Sequence, residues 1–493
     1  TVPPFGLVGA ELNALLTETA AAAQSVAAAL SAPVPAPSAP SSSASAPPPV
    51  PAPPALASAA APAEIAAERE FSLRTMPDMA DHCILPQPPG WPDDTDRFPV
   101  VPATTLLEIM ADAALAAAPG RVVIGFEQVK AMRWLAVAPP TFATVRATAA
   151  GAGRADAVRA DALRAGTGRA DTGRAGAERI GPTRVRVSIE GYASGDVLLA
   201  DRYPAAPDPD PTPLREPRPA PVSARELYSD GWMFHGPRFA GVDDIAVLGD
   251  DGIAGTVLAL AARGALLDSA GQLIGHWMQV SRTTDQVVLP TGIRAVRLYG
   301  PQPPTGQPLS CTAWIREVTA TEMRADAELR GPEGRVWCRI EGWSTRRFAT
   351  DAASWHMKNH PGTAGLSVPG PGGWSVVHEG WPDTASRELM MRRYLNAAER
   401  ADYDRRNPLQ QRRWLLGRIA AKDAVRRFLW DRGAGPLYPC ELTVTETDGD
   451  FRVRGPLRAP PVTVILSPPD HRGRPYAAAA TGDVEPLELE GFI

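Results

Sequence analysis

The chain has 493 residues, a formal net charge of −5 at pH 7 and a sequence pI near 5.9. That length exceeds what one hydrophobic core usually organises, so we expect roughly two to four domains. Because this net charge is weakly negative, the chain as a whole lacks the basic character of nucleic-acid-binding proteins, and nucleic acid is not an expected partner. The cysteines lack metal-ligand spacing and predict free thiols in a cytoplasmic protein. No apolar run is long enough to suggest a membrane span.

The N-terminal segment, residues 1–69, is predicted to hold a short helix over residues 7–30 and then a linker. The linker is almost entirely Ala, Pro, Ser and Val, a composition that cannot bury a core. Because the first residue is Thr1, we expect the chain to be part of a longer protein. Residues 151–181 carry an arginine every five residues, a spacing that keeps no single helix or strand face, and they predict a disordered insertion.

The middle of the chain repeats one order of elements. Residues 70–204 and 223–350 each contain a long apolar helix and several strands, and a Pro-rich linker at 205–222 separates them. The helices are expected after Pro102, up to about residue 118, and over 266–280. Strands are expected at 122–126, 130–136, 141–148, 183–190 and 195–202, and at 255–260, 293–299, 309–317, 322–330 and 335–344. The repetition predicts two similar α+β units.

One histidine and one aspartate are the candidate catalytic residues. An elimination of water needs a base and an acid. His82 precedes the first helix and, with a reference pKa of about 6.5, can be a neutral base at cytoplasmic pH. Asp268 opens the second helix, and burial must raise its pKa from about 3.9 if it is to hold a proton. Gln272 lies one turn further on, so its amide can orient the Asp268 carboxyl group.

These residues carry a family resemblance. Over residues 71–348 the chain resembles the dehydratase domain of type I polyketide synthases, which is a double hot dog, an α+β fold in which each half wraps a sheet around a long helix. In the segment His235-Gly236-Pro237-Arg238-Phe239, His235 replaces the tyrosine of the family. The resemblance implies His82 and Asp268 as catalytic residues, and the following as substrate-binding residues: Pro102, Gly236, Pro237 and Gln272.

The resemblance also implies an activity. The chain would be a hydro-lyase that removes water from a 3-hydroxyacyl thioester on the phosphopantetheine arm of an acyl carrier protein, with no further cofactor. Its partners would be that carrier protein and other polyketide synthase domains. Whether the chain forms a homodimer is left open by the sequence. Two alternatives share the features: a product-template-like domain that guides cyclisation, and a catalytically silent scaffold that binds carrier protein.

The last part, residues 355–493, resembles phosphopantetheinyl transferases of the short holo-acyl-carrier-protein synthase type. Residues 418–424 (RIAAKDA) compare with the family's Trp-x-x-Lys-Glu-Ala, and residues 467–471 with its Ser-His strand. If this part is active, the resemblance implies coenzyme A and Mg²⁺ as cofactors. Lys422 and His471 would be transferase residues, with Asp423 and Glu379 as metal ligands. A dehydratase followed by such a part resembles the C-terminal end of enediyne-type iterative synthases.

Overall fold

A computed structural model describes residues 64–149, 182–282, 287–348, 350–381, 383–467 and 474–482. The predicted helix at 7–30 and the predicted insertion at 151–181 lie outside these ranges. Within them, no helix is both long and apolar enough to cross a membrane.

The first half is a helix packed against five strands. Its elements are β1 (Glu64–Phe71), α1 (Ala103–Ala117), β2 (Val122–Ala131), β3 (Thr141–Ala149), β4 (Thr183–Ile189) and β5 (Ala193–Ala200). Helix α1 buries Leu107, Met110 and Ala114 along one side, at the spacing of a core-facing helix. Strand β1 corrects the predicted linker boundary at residue 69, because Glu64 already pairs opposite Thr148 of β3.

The second half repeats this plan. Its elements are α2 (Ala224–Ser229), β6 (Val242–Gly249), β7 (Gly252–Leu258), α3 (Ala265–Ser281), β8 (Val287–Leu298), β9 (Pro308–Val318), β10 (Glu322–Arg330) and β11 (Val336–Phe348). Residues 205–222 are not a free linker as predicted. Arg218 forms a backbone bridge with Leu248, and the Asp210 amide donates to the Glu328 carboxylate, so this stretch lies along the second half.

One continuous antiparallel sheet joins the halves. Its order is β1-β3-β4-β5-β2-β8-β11-β10-β9-β7-β6, and the halves meet where β2 pairs with β8. Gly125 permits this pairing, since a Cβ there would stand 2.2 Å from the Val296 carbonyl oxygen. The sheet and its two long helices form an α+β arrangement consistent with a double hot dog.

The two long helices begin side by side. The Thr105 hydroxyl in the first turn of α1 donates to the Arg263 carbonyl oxygen at 2.6 Å. Gly264 precedes α3 with φ +80°, and a Cβ there would lie 2.5 Å from the Thr105 amide nitrogen. Glycine is therefore required both for the left-handed conformation and for the close approach. Both helix N-termini consequently face the same part of the molecule.

The C-terminal part is a second α+β unit. Its elements are α4 (Ala352–Asn359), β12 (Val368–Pro369), β13 (Ser375–His378), α5 (Thr384–Tyr394), α6 (Ala397–Asp404), α7 (Pro408–Trp430), β14 (Thr443–Thr447), β15 (Asp450–Arg454), β16 (Val462–Ser467) and β17 (Tyr476–Thr481). A sheet of order β12-β13-β17-β16-β15-β14 packs on α7. The part is anchored to the first half by a buried ion pair between Arg400 and Asp96, 2.7 Å apart.

Candidate active site

Two histidines from different halves meet at one point. His82 and His235 form an antiparallel backbone bridge, and their rings lie 5.1 Å apart between centroids. The Gly236 amide donates to the Asp81 carbonyl oxygen at 2.7 Å, which holds the two segments in register. The sequence motif included His235 only as a substitution of tyrosine, and the structure places it in the centre of the site.

The His82 ring is oriented by its own neighbourhood. Its Nδ1 lies 2.8 Å from the Val100 carbonyl oxygen. A carbonyl oxygen only accepts, so Nδ1 carries the proton and Nε2 keeps its lone pair. Burial lowers the pKa of His82 to about 4, against the opposing effect of the Asp268 charge. His82 is therefore neutral at pH 7 and suited to act as a base.

Asp268 lies in the first turn of α3 beside His235. Its Oδ2 accepts hydrogen bonds from His235 Nε2 at 3.1 Å and from Gln272 Nε2 at 2.9 Å. Burial would raise the pKa of Asp268, but the charge and hydrogen bond of His235 outweigh it and hold this pKa below its ordinary value. The raised pKa that Asp268 would need to hold a proton by itself is therefore not found. An acid proton at this place belongs to the His235–Asp268 pair.

Gln272 holds the Asp268 carboxyl group as the helical spacing predicts. Its Nε2 also donates to the Phe239 carbonyl oxygen at 2.7 Å, and its Oε1 accepts from the Tyr228 hydroxyl at 2.7 Å. That hydroxyl in turn accepts from the Val242 amide. Because both ends of the amide are bonded, the orientation of Gln272 is fixed. Among the described residues, Asp268 Oδ1 accepts no hydrogen bond, which leaves it for a ligand.

A single cavity of about 130 Å³ connects these groups. It is lined mainly by apolar side chains, and the first residues of α1 lie at its wall. The sequence-predicted residues that line it are His82, Pro102, Asp268 and Gln272. The lining residues that sequence reasoning did not select include His235, Lys358 and Arg393.

Gly236 and Pro237 were predicted to bind substrate, and the structure shows them in a turn beside His82. Neither lines the cavity, and Pro237 is exposed. They form a tight turn in which the Phe239 amide donates to the Gly236 carbonyl oxygen at 2.9 Å. A proline within such a turn supplies the required φ. The turn packs on Asp81, next to His82, so these residues position the histidines.

The same side chains are the candidate metal ligands. His82, His235 and Asp268 each offer a ligand atom within 4.8 Å of the others. Among the described residues, no other group of at least three His, Cys, Asp or Glu side chains has this geometry. Two imidazoles and one carboxylate are a donor set that suits zinc and other divalent transition metals. The His235–Asp268 hydrogen bond accounts for the arrangement without a metal.

Asp423, the first predicted metal ligand of the C-terminal part, is engaged in structural contacts. The carboxylate accepts from the Leu366 and Ser367 amides at 2.9 Å and from Arg426 Nη1 at 3.0 Å. The Tyr394 hydroxyl also donates to it at 3.1 Å. These donors surround a carboxylate that is almost fully buried, so its oxygens are already occupied.

Two other transferase candidates are also engaged in contacts within the protein. Lys422 is fully buried and donates to the Glu399 carboxylate and to the Tyr394 carbonyl oxygen. Glu379, the second predicted ligand, is paired with Arg412, whose Nε and Nη2 donate to its two oxygens at 2.8 and 2.9 Å. His471 lies outside the described residues. The structure thus places Lys422, Asp423 and Glu379 in internal ion pairs, which gives their transferase roles no support.

One family model matches part of the chain. Residues 206–354 match the family model described as the polyketide synthase dehydratase N-terminal domain. Over this stretch, which contains His235, Asp268 and Gln272, the chain is similar to polyketide synthase dehydratases. The match ends at residue 354 and gives no support to a transferase in the C-terminal part. The comparison with curated proteins gives no match.

Several solved structures are also similar. The dehydratase domain of a mycocerosic acid synthase-like polyketide synthase is 17% identical with a TM-score of 0.39, over 57% of this chain and 91% of that one. The dehydratase domain from the CurJ module of curacin polyketide synthase is 16% identical with a TM-score of 0.40, over 58% and 92%. The one from the CurF module is 15% identical with a TM-score of 0.40, over 60% and 97%.

Proposed function

We propose that the chain removes water from a 3-hydroxyacyl thioester, carried on the phosphopantetheine arm of an acyl carrier protein, to give the enoyl thioester. The observation that carries the proposal is a neutral, buried His82 that shares one mostly apolar cavity with the His235–Asp268 pair. The dehydratase match over residues 206–354 supports the same reaction class. The carrier protein is accordingly the proposed partner.

His82 acts as the base. Its Nε2 takes the proton from C2 of the substrate, and the electron pair of that C–H bond forms the C2–C3 double bond as the C3–O bond breaks. The Val100 carbonyl oxygen stabilises the resulting imidazolium through the Nδ1 proton. The N-terminus of α1 lies at the cavity wall with Ala103, and the first amides of a helix, which have no acceptor within it, favour negative charge on the thioester oxygen.

The His235–Asp268 pair acts as the acid. A proton held by the pair passes to the departing C3 hydroxyl, which leaves as water. For the transfer, Asp268 takes the proton of the pair from His235 and delivers it from Oδ1, which accepts no hydrogen bond among the described residues, whereas Oδ2 is held by His235 and Gln272. After the reaction, the proton gained by His82 returns to the pair across the short distance between the two rings. The elimination therefore needs no net proton from solvent.

A direct test follows a 3-hydroxyacyl carrier protein incubated with this chain. Mass spectrometry of the acyl-pantetheine fragment should show the loss of one water. The same assay after dialysis against a chelator should give an unchanged rate, whereas dependence on added Zn²⁺ would assign the His82–His235–Asp268 cluster to metal chemistry. A cyclised product from a poly-β-ketone would favour the product-template alternative. Tight carrier-protein binding with no change in mass would favour the scaffold.

The activity is expected to resist acidification. With a pKa of His82 of about 4, the base stays unprotonated down to that pH, so kcat/KM should show no acid limb between pH 7 and about 5.5. The measurement is a pH–rate profile with circular dichroism at each pH. This control is needed because the same depressed pKa makes the native state lose stability as pH falls from about 6.5 toward 4. An acid limb centred near 6.5 in folded protein would contradict the assignment.

Gly236→Ala is expected to lower turnover strongly. The new Cβ would stand 2.8 and 2.9 Å from the Asp81 carboxyl atoms and would push the segment that carries His82. A displacement of about 1 Å at a catalytic group can cost roughly 10²-fold. The control is Gly435→Ala, where a Cβ meets nothing within 4 Å. Equal kcat values for the two variants would show that this turn does not position the site.

A further inference from the structure

The catalytic cavity extends well beyond the reacting groups. Helix α3 lines it with one face, from Asp268 through Gln272 and Gly275 to Gln279. Asp268 and Gln279 lie about 16 Å apart along the helix at a rise of 1.5 Å per residue. The cavity therefore has a catalytic end, at the start of α3, and a far end near Gln279.

The C-terminal part supplies cations at the far end. Lys358 of α4 and Arg393 of α5 both line the cavity. Lys358 Nζ donates to the Trp232 carbonyl oxygen at 2.9 Å, and Gln279 Nε2 donates to the same oxygen at 3.0 Å. Burial, with a contribution from the Arg393 charge, lowers the pKa of Lys358 to about 7. The two positive charges thus lie close enough to repel each other.

Arg393 differs from the other buried arginines of its region. Its side chain is only 6% exposed, and its buried Nε has no hydrogen-bond partner. Among the described residues, no hydrogen bond or ion pair involves its guanidinium group. By contrast, buried arginines nearby each pair with a carboxylate: Arg400 with Asp96, Arg418 with Glu446 and Arg426 with Asp423. Burial lowers the pKa of Arg393 to about 10, so it remains charged at neutral pH.

A buried cation without a partner is costly, and proteins rarely keep one. Among the residues that the structure describes, Asp268 is the one carboxylate that lines the cavity, and it is held by His235 at the catalytic end. The far end therefore presents uncompensated positive charge to whatever fills the cavity. Arginine presents several N–H donors in a planar fork, which suits two oxygens of a carboxylate or phosphate.

We propose that Arg393, supported by Lys358, forms an anion-binding subsite for an anionic oxygen group of the acyl-pantetheine substrate. The proposal rests on the proposed function, since it assigns this substrate to the same cavity. The group is either a carboxylate at the far end of the acyl chain or the phosphate of the pantetheine arm. In both cases the C-terminal part acts as a substrate-selecting wall of the cavity.

The test uses four 3-hydroxyacyl thioesters and the Arg393→Met variant. The acyl chain ends in a methyl group or a carboxylate, and the arm is pantetheine or phosphopantetheine. Two ratios of kcat/KM are compared: carboxylate-ended over methyl-ended acyl chains, and phosphopantetheine over pantetheine arms. In Arg393→Met we expect one of these ratios to fall about tenfold or more, because a charge-assisted hydrogen bond is lost. The ratio that falls identifies the acyl carboxylate or the arm phosphate. If neither ratio changes, the subsite does not exist.

The matched control is Arg392→Met, the neighbouring arginine. Its guanidinium pairs with Glu388 and lies over the Phe98 ring, outside the cavity lining. Both ratios should stay as in the parent protein. If a ratio fell equally in Arg392→Met, the effect would come from the loss of a positive charge anywhere in this region, and the subsite proposal would be overturned.

Two further readouts separate the subsite from a structural role. Arg393→Met should unfold at the same temperature as the parent or higher, because it removes an unpaired buried charge. A lower melting temperature, rescued by Arg393→Lys, would make the residue structural and overturn the proposal. Calorimetric binding of saturated acyl-pantetheines, with and without the terminal carboxylate or the phosphate, requires no turnover. An anion preference lost in Arg393→Met would support the subsite even if dehydration itself were absent.

Discussion

His82→Ala and Asp268→Asn should each reduce dehydration of a 3-hydroxyacyl thioester by roughly 10²–10⁴-fold, the usual contribution of a positioned acid or base. In the proposed mechanism, His82 supplies the unprotonated Nε2, and the His235–Asp268 pair holds the acid proton. The double variant should be little worse than either single one, because base and acid act in one elimination step. Single-turnover kinetics with a hydroxyacyl carrier protein measures all three.

The control for these variants is His356→Ala, which changes an exposed histidine of α4. It should turn over substrate at the parent rate. Circular dichroism must show that His82→Ala and Asp268→Asn remain folded. Parent-like rates in both folded variants would remove this cluster from the chemistry and leave the scaffold alternative.

Lys422→Met should destabilise the C-terminal part by roughly 3–5 kcal/mol, the usual effect of removing one partner of a buried ion pair. The change leaves the Glu399 carboxylate buried without its cation, although the Val444 amide still donates to it. Adding Glu399→Gln should recover part of the loss, because the uncompensated charge disappears. Urea unfolding of the single and double variants measures both effects.

The same experiment separates the ion-pair role from the transferase role that the sequence motif implied. The control is Lys130→Met, at an exposed position of β2, which should change stability little. A fully stable Lys422→Met protein that lost the ability to load pantetheine onto an apo carrier protein would restore the transferase hypothesis.

The long central helices were predictable because their signals are local. Apolar runs before Pro119-Gly120 and after Gly264 mark α1 and α3 within a few residues of their observed ends. Strand β1 gave no such signal: it is a largely exposed edge strand with charged residues and alanines, and only its pairing with β3 defines it. Strand β6 begins Val-Asp-Asp and escaped prediction for a similar reason.

The candidate site likewise contains residues that local sequence patterns indicate and properties that they do not. His82, Asp268 and Gln272 were predictable from motifs and from the one-turn helical spacing. The low pKa of Asp268 was not, because its cause is His235, which arrives from a separate segment of the chain. The unpaired state of Arg393 was also not predictable, because no local sequence pattern shows that a buried arginine lacks a partner. Such properties arise only once the chain has folded.

The position of Lys358 and Arg393 has a consequence for how such chains can be recombined. A boundary drawn at residue 350 follows the end of the second hot dog half, yet it severs the cavity from part of its wall. A fragment cut there would keep His82, His235 and Asp268 but lose Lys358 and Arg393 from the cavity wall. If the proposed anion subsite exists, transplanting the C-terminal part onto a related domain would transfer the preference for an anionic substrate with it. The segment that determines selectivity would then be longer than the segment that carries the proposed acid and base.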